Sequence, residues 1–227
     1  MEDKLSKIKC LDGFTLKLIA MITMAIDHTG AILFPEHIWL RIIGRLAFPI
    51  FAYMVAEGFY YTHNKNRYLL RMGIFACVTE PFFDLAFYGR LGFTHQNVCL
   101  TFFIAIAGLY AIYMVQQKVN NIVAVKLISC VIIVIFALVA QFLRTDYGSF
   151  GVMLVYVYYM LRDNYLEKHI FSTVLQIVCA TGIQRYSALS TIPLMLYNGK
   201  RGRGLKYMFY VFYPAHLFVL YLISQFI

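Results

Sequence analysis

KLIAMITMAIDHTGAILFPEHIWLRIIGRLAFPIFAYMVAEGF (17–59) contains two long apolar runs separated by a short polar bend, and both runs carry charged residues in their interiors. A helix needs about 20 mostly apolar residues to cross a hydrocarbon core. Runs of that kind lie near 14–34 and 38–60, and again near 68–89, 97–117, 122–143 and 206–227. Three shorter runs lie at 147–161, 170–183 and 186–197, the last two reading either as two short spans or as one broken helical hairpin. The pattern predicts an all-α, polytopic transmembrane helical bundle of about nine spans, with eight as the close alternative. No internal repeat, low-complexity tract or long linker divides it. Residues 1–227 therefore read as a single integral membrane domain, with 1–13 as a cytoplasmic N-terminal segment.

Composition points the same way. Of the 227 residues, 61% are hydrophobic and only 14% charged, against a globular norm of roughly 25% charged. A water-soluble fold of this length cannot hide that much apolar surface. The net charge of +9 would suit a nucleic-acid partner only if the basic residues formed one face of a soluble domain. They sit between apolar runs instead, so no nucleic acid is expected. The first thirteen residues are polar and the run after them lacks a small-residue cleavage site, which argues against a cleaved signal peptide. Five cysteines (10, 77, 99, 130 and 179) form no CxxC pair, and four lie within apolar runs. They read as buried structural thiols, with neither a disulfide framework nor a metal site.

The basic residues test the span count. With the N-terminus inside and nine spans, cytoplasmic segments carry fifteen of the twenty Lys and Arg, among them Lys4, Lys7 and the cluster from Lys200 to Lys206. Outer loops carry only Arg90, Arg144 and Arg185. That asymmetry follows the positive-inside rule and orients the bundle N-in and C-out in the inner, cytoplasmic membrane. An eight-span chain would place Lys200 to Lys206 outside. The anionic lipids of the inner leaflet are the natural partners of this charge.

Charges inside a span cost about 2.5–3.5 kcal/mol each near the centre, so they are functional candidates by default. Here they are Asp27 and His28 in the first run, Arg41, Arg45 and Glu57 in the second, Glu80 and Asp84 in the third, and His216 in the last. At about 1.5 Å per residue, His28, Glu80 and His216 lie roughly 21, 18 and 15 Å from the inner ends of their runs, and Arg45 about 10 Å below its outer end. Four groups from four helices are thus expected in one layer, slightly toward the outside. Arg41 and Arg45 share a helix face, as do Glu80 and Asp84. Asp27 and His28 are neighbours and diverge by about 100° around their helix. The bland reading pairs Arg45 with Glu80 and treats the histidines as hydrogen-bonded packing residues. The functional reading uses a buried histidine for proton transfer and a dry arginine for developing negative charge. Acyl transfer fits that set, and so does a proton-coupled carrier relaying through His28, Glu80 and His216. A non-catalytic assembly scaffold remains as a third reading.

Weaker signals carry less. His37, His63, His95 and His169 lie at run ends or in loops and read as solvated or interfacial. The tyrosines of YVYYM (156–160) read as lipid-facing or interhelical packing, Gly44 as permitting close helix contact, and DYG (146–148) as a turn.

The stretch 17–59 resembles the TraX family of membrane proteins, and so do YLLRMGIFACVTEPFFDLAF (68–87), NVCLTFFIAIAGL (97–109), DYGSFGV (146–152), YNGKRG (197–202) and KYMFYVFYPAHL (206–217). The resemblance runs in order along most of the chain, and the joint presence of IDHTG, RIIGRLAFPIF and FYPAHL makes it specific. It implies a membrane acyltransferase, since TraX N-acetylates the pilin subunit of a conjugative pilus. It also implies the fold of the wider group of membrane enzymes that acetylate cell-surface sugars. That group carries a basic residue, ten intervening residues, then a catalytic histidine, and Lys17 and His28 match the spacing. Arg41 and Arg45 resemble its paired arginines, at a different separation.

On that resemblance acetyl-CoA is the expected acyl donor, as a substrate with no permanently bound cofactor. Lys17, Arg41, Arg71, Lys200, Arg201 and Arg203 are the expected donor-binding residues, with the KRGRGLK loop (200–206) and Lys17 and Arg71 on the phosphates. His28 is the expected general base. Arg45 is expected at the oxyanion, Glu80 as orienting Arg45 or His28, and His216 and Asp27 as supporting catalytic groups. The acceptor is expected on the far side of the membrane, as an amine or hydroxyl of a pilin-like peptide or an envelope glycan.

Overall fold

The computed structural model describes residues 9–204 and 206–226. Lys4 and Lys7 lie outside the described residues, as does the side chain of Lys206. Every regular element among the described residues is helical: α1 (Gly13–Ile32), α2 (Ile38–Gly44), α3 (Ala47–Tyr61), α4 (Lys65–Tyr88), α5 (Val98–Lys118), α6 (Ile122–Phe142), α7 (Gly148–Met160), α8 (Tyr165–Val178), a 3-10 segment (Gly182–Ser190), α9 (Thr191–Met195) and α10 (Lys206–Ser224).

The long helices start where a short polar side chain can take up the first free amides. Asp12 accepts from the Thr15 amide at 2.7 Å, Asn64 from Arg67 at 2.9 Å, Asn97 from Cys99 at 2.8 Å, and Asn121 from Val123 at 2.9 Å. The Thr15 amide and hydroxyl hold the Asp12 carboxyl below its ordinary range. α4 stops at Gly89, whose φ of +66° is the left-handed conformation that ends a helix without a Cβ penalty.

The second apolar run is one membrane-length element, Ile38–Tyr61, broken at Arg45–Leu46 into α2 and α3. Pro49 explains the break. It has no amide to offer the Arg45 carbonyl four residues back, and its ring crowds that carbonyl. Gly13–Ile32, Ile38–Tyr61, Val98–Lys118 and Ile122–Phe142 are long and apolar enough to cross a bilayer, while α7 and Met208–Ser224 are apolar but shorter. α4 has 24 residues and is less apolar. The two runs expected at 170–183 and 186–197 take the form of a broken hairpin. α8 ends at Val178, and the polar GIQRYSALS folds as a 3-10 segment before the five residues of α9.

The bundle hides its core and shows apolar side chains outside. Phe48, Ile50, Phe59, Ile106, Leu109, Leu154 and Tyr158 are buried. On α6, Val123, Leu127, Val131, Val134, Leu138 and Phe142 are all exposed. A continuous apolar face of that kind in water would be an aggregation site, and in lipid it is the required exterior. Tyr156, Tyr158 and Tyr159 are interhelical rather than lipid-facing. The cysteines depart from expectation: Cys99 is buried, but Cys10, Cys77, Cys130 and Cys179 are exposed. An apolar run says that a thiol tolerates hydrocarbon, and lipid satisfies that as well as a core does.

Each end of the bundle is tied by loop-to-loop backbone bonds. At one end the Leu11 amide donates to the Leu196 carbonyl (3.0 Å) and the Gly13 amide to the Lys200 carbonyl (2.8 Å). At the other, Gln96 donates to Arg144 (3.1 Å) and Asp146 to Gln96 (2.8 Å).

Candidate functional site

Asp27 and His28 project from adjacent positions near the C-terminal end of α1, so they meet different neighbours. Asp27 faces α2. Its Oδ2 accepts from Arg41 Nη1 at 3.1 Å and from Arg45 Nη2 in a short contact, and its backbone carbonyl accepts from the same Arg41 nitrogen at 3.1 Å. Close approach of the two helices makes this possible. Gly44 lies directly against the Asp27 side chain, and Gly30 of α1 against Leu40 of α2, where any Cβ would collide. Arg45 also donates through Nη1 to Gln184 Oε1 of the 3-10 segment (2.8 Å) and through Nε to the Arg41 carbonyl (3.3 Å). Asp27 is buried, and its Oδ1 has no hydrogen-bond partner among the described residues. One carboxylate thus holds two arginines, and the charged group leaves one carboxylate oxygen and several guanidinium N–H groups uncommitted.

His28 faces α10. Its Nδ1 lies 2.7 Å from His216 Nε2, the two rings nearly parallel with centroids 5.0 Å apart. His216 Nδ1 lies 2.8 Å from the Phe212 carbonyl, one helical turn back. A carbonyl only accepts, so His216 Nδ1 carries the proton and, in the neutral ring, its Nε2 is a lone pair. His28 must then donate through Nδ1–H, which leaves His28 Nε2 as the basic nitrogen. No described residue hydrogen-bonds to it. Phe87 and Tyr213 close the ring in, edge-on at 5.2 Å and 6.2 Å. The arrangement has the logic of a base oriented by a third group, with an imidazole in the carboxylate's place.

The acids of α4 do something else. Glu80 Oε2 accepts from the Asn97 amide at 3.1 Å and from its side-chain Nδ2, while Asp84 Oδ2 accepts from the Gly92 amide at 2.9 Å. Both fasten the 89–97 loop to the end of α4. Glu80 orients neither Arg45 nor His28, and the expected Arg45–Glu80 pair gives way to Arg45–Asp27. Depth along a helix was the basis of that expectation, and depth does not say which way a side chain faces.

Of the expected donor-binding residues, Arg41 stands apart, paired with Asp27 near the C-terminal end of α1. Lys17 is partly buried with Nζ 5.3 Å from the centre of the Phe209 ring, near Arg201 at the base of α10. Arg71 lies on another side of α10, in a groove of about 630 Å³ with Phe75, Tyr210 and Pro214. Lys200 and Arg203 are exposed, and the Lys200 carbonyl caps the start of α1.

Four features escaped the sequence reading. Gln184 fell between the runs at 170–183 and 186–197 and carried no signal of its own. His169 is buried, not solvated, because the polar face of α8 (Lys168, His169, Ser172, Gln176) turns inward and its apolar face outward. Phe87 and Tyr213 gave no signal of their own. Asp146 and Tyr147 read as a turn, which they are, with φ of +66° at Tyr147. Yet Tyr147 stacks on Phe48 at 3.6 Å, and Asp146 lies within electrostatic reach of Arg45. Burial pushes the Asp146 carboxyl up to about 6 despite that arginine.

An all-helical bundle with an apolar exterior, which holds an acid–arginine group and a histidine pair between its helices, defines a polytopic membrane protein with polar groups among its apolar helices. The chain belongs to the TraX family: the family's sequence profile, described as TraX protein, matches residues 12–224. It is 28% identical to the probable fimbrial assembly protein FimC, serogroup H1, of Dichelobacter nodosus, across 92% of this chain and 93% of that one. A shorter stretch of 45 residues is 49% identical to protein RP591 of Rickettsia prowazekii (strain Madrid E), covering 20% of this chain and 18% of that one. No solved structure matches.

Proposed function

We propose that the protein is an acetyltransferase of the cytoplasmic membrane, oriented N-in and C-out. In this reading it moves an acetyl group from cytoplasmic acetyl-CoA to an amine or hydroxyl on the outer side, on a pilin-like peptide or an envelope component. The observation that carries the reading is the His28–His216 pair, in which one histidine is held in the tautomer that leaves the other a free basic nitrogen. Family membership and the likeness to a fimbrial assembly protein favour a pilin-type acceptor. The positive-inside count and the pairing of 196–200 with the start of α1 favour a donor approaching from the end that bears Lys17 and Arg201.

In the proposed step His28 Nε2 takes the proton of the acceptor N–H or O–H as that atom attacks the thioester carbonyl. The resulting imidazolium keeps its Nδ1–H on His216 Nε2, so the charge forms without a change of hydrogen-bond partner. The oxyanion is met by the uncommitted N–H groups of the Arg41–Arg45 pair, which Asp27 and Gln184 hold in place. The carbon–sulfur bond then breaks, and the leaving thiolate recovers the proton from His28 Nε2.

The test is purified protein with radiolabelled acetyl-CoA, wild type against His28→Ala, following donor binding and thioester cleavage. The reading expects both variants to bind and only the wild type to turn over. Equal turnover in the two would remove His28 from the chemistry.

A further inference from the structure

At the inner end of the bundle, where α3, α5 and α7 finish and α4 begins, lies a pocket of about 360 Å³ lined by Tyr60, Lys65, Tyr113, Gln117, Tyr159 and Arg162 among others. It is remote from the histidine pair. Tyr60 follows Arg45 by fifteen positions, roughly 22 Å of helix. Its two cations are seated on aromatic rings rather than paired with acids inside the pocket. The Arg162 guanidinium lies 3.7 Å from the Tyr60 ring centre and 5.4 Å from that of Tyr159, and Lys65 Nζ is 4.9 Å from the Tyr113 ring. Lys65 donates weakly to the Phe59 and Thr62 carbonyls, both at 3.3 Å. Arg162 Nε is buried and makes no hydrogen bond among the described residues. The carboxylate paired with Arg162, Asp163 at 3.5 Å, belongs to a side chain that is 80% exposed and does not line the pocket. Glu57, one turn before Tyr60, lies within electrostatic reach of both Lys168 and Arg162, but it does not line the pocket and forms no ion pair with either among the described residues.

Ring faces fix the two cations while leaving their N–H groups for something else, and a buried guanidinium nitrogen without a partner is costly. The polar groups beside them, three phenols and the amides of Gln116 and Gln117, donate and accept as a phosphate ester and its alcohol require. We propose that this pocket is a binding site for a phosphate-bearing anion on the cytoplasmic face, separate from the Lys17–Arg201 rim. The phosphate belongs either to an anionic lipid headgroup at the membrane surface or to a soluble nucleotide. The proposal does not depend on the acetyltransferase reading.

The test uses the whole protein in two arms. In the first, native mass spectrometry counts phosphatidylglycerol retained by protein taken from mixed phosphatidylcholine and phosphatidylglycerol. In the second, calorimetry measures adenosine 3′,5′-bisphosphate binding in discs of phosphatidylcholine alone. The variants are Lys65→Gln/Arg162→Gln and, as a control for bulk charge, Lys118→Gln/Lys126→Gln, which removes two exposed lysines from the same end of α5 and α6. Removing one charge-assisted hydrogen bond weakens binding by about tenfold or more, so the pocket variant should lose at least one of the two ligands while the control keeps it. The arm in which the loss occurs identifies the source of the phosphate. Gln117→Leu, which keeps both charges, should weaken the same ligand by a smaller factor and serves if the double variant does not fold. Binding of neither ligand to the wild type, or equal loss in pocket and control variants, would overturn the proposal.

Discussion

Gly44→Ala tests how tightly the arginine–aspartate group depends on the approach of α2 to α1. A methyl group at Gly44 would collide with Asp27 Cβ and lie 2.5 Å from its Cγ. Carbon atoms settle at about 3.5–4.0 Å, so the helices must part by roughly 1 Å or more. Asp27 Cβ is fixed to the backbone and cannot swing aside. The same parting carries Arg41 Nη1, now 3.1 Å from Asp27 Oδ2, out of hydrogen-bond range. Overpacking alone costs about 1–3 kcal/mol, and loosening a buried ion pair adds to it, toward the 3–5 kcal/mol of outright loss of a partner. A destabilisation of about 2–5 kcal/mol is therefore expected. The assay is thermal unfolding in detergent, reported by a fluorogenic maleimide at the buried Cys99 after the four exposed cysteines are changed to serine. Gly204→Ala, where an added Cβ meets nothing within 4 Å, should stay within about 0.5 kcal/mol of its parent. A Gly44→Ala protein that melts with its parent would show that α1 and α2 have room for a methyl group between them and that Asp27 does not depend on their close approach.

His216→Phe keeps the aromatic volume but removes the acceptor for His28 Nδ1–H. Turnover of labelled acetyl-CoA should fall about tenfold to a hundredfold with donor binding unchanged, the worth of one buried hydrogen bond. Glu80→Gln should keep turnover within about twofold in the same assay, since Glu80 fastens a loop and the amide oxygen of Gln can still accept from Asn97. Asn97→Ala removes a helix cap and a bond to Glu80 together, and should lower stability by about 1–3 kcal/mol in the thermal assay. Asp146 binds its proton more tightly in the fold, at about 6, than the ordinary 3.8 of an unfolded chain. Stability therefore falls as pH rises between those two values and stays lower above them. Asp146→Asn should raise the melting temperature at pH 7.5 and give no gain at pH 3.5.

The helical character of the apolar runs and the divergence of Asp27 from His28 were legible, because they depend only on run length and on 100° per residue. Partner choice was not. Counting along the runs puts Arg45 and Glu80 at similar depth, yet Arg45 turns to Asp27 and Gln184 while Glu80 turns to Asn97, and only the packing of α2 and α4 around α1 decides between them. The 3-10 segment escaped for a related reason. GIQRYSALS is too polar for a lipid-facing span and too short of glycine and proline to read as a loop, and it folds where Arg45 donates to Gln184 and Gln176 of α8 accepts from Ser190. His169 misled because a histidine near a run end is solvated only if its helix turns its polar face to water.

Transfer across the bilayer, with native acceptors in place, asks most simply whether His28, oriented by His216, carries the chemistry. Inverted membrane vesicles expose the cytoplasmic face and keep the outer face inside. Supplied with radiolabelled acetyl-CoA, vesicles bearing the wild-type protein should accumulate label in acid-insoluble lumenal material, and vesicles bearing His28→Ala should fall short by about 10²–10⁴-fold, the usual weight of a general base. Equal labelling in the two would contradict a catalytic role for His28.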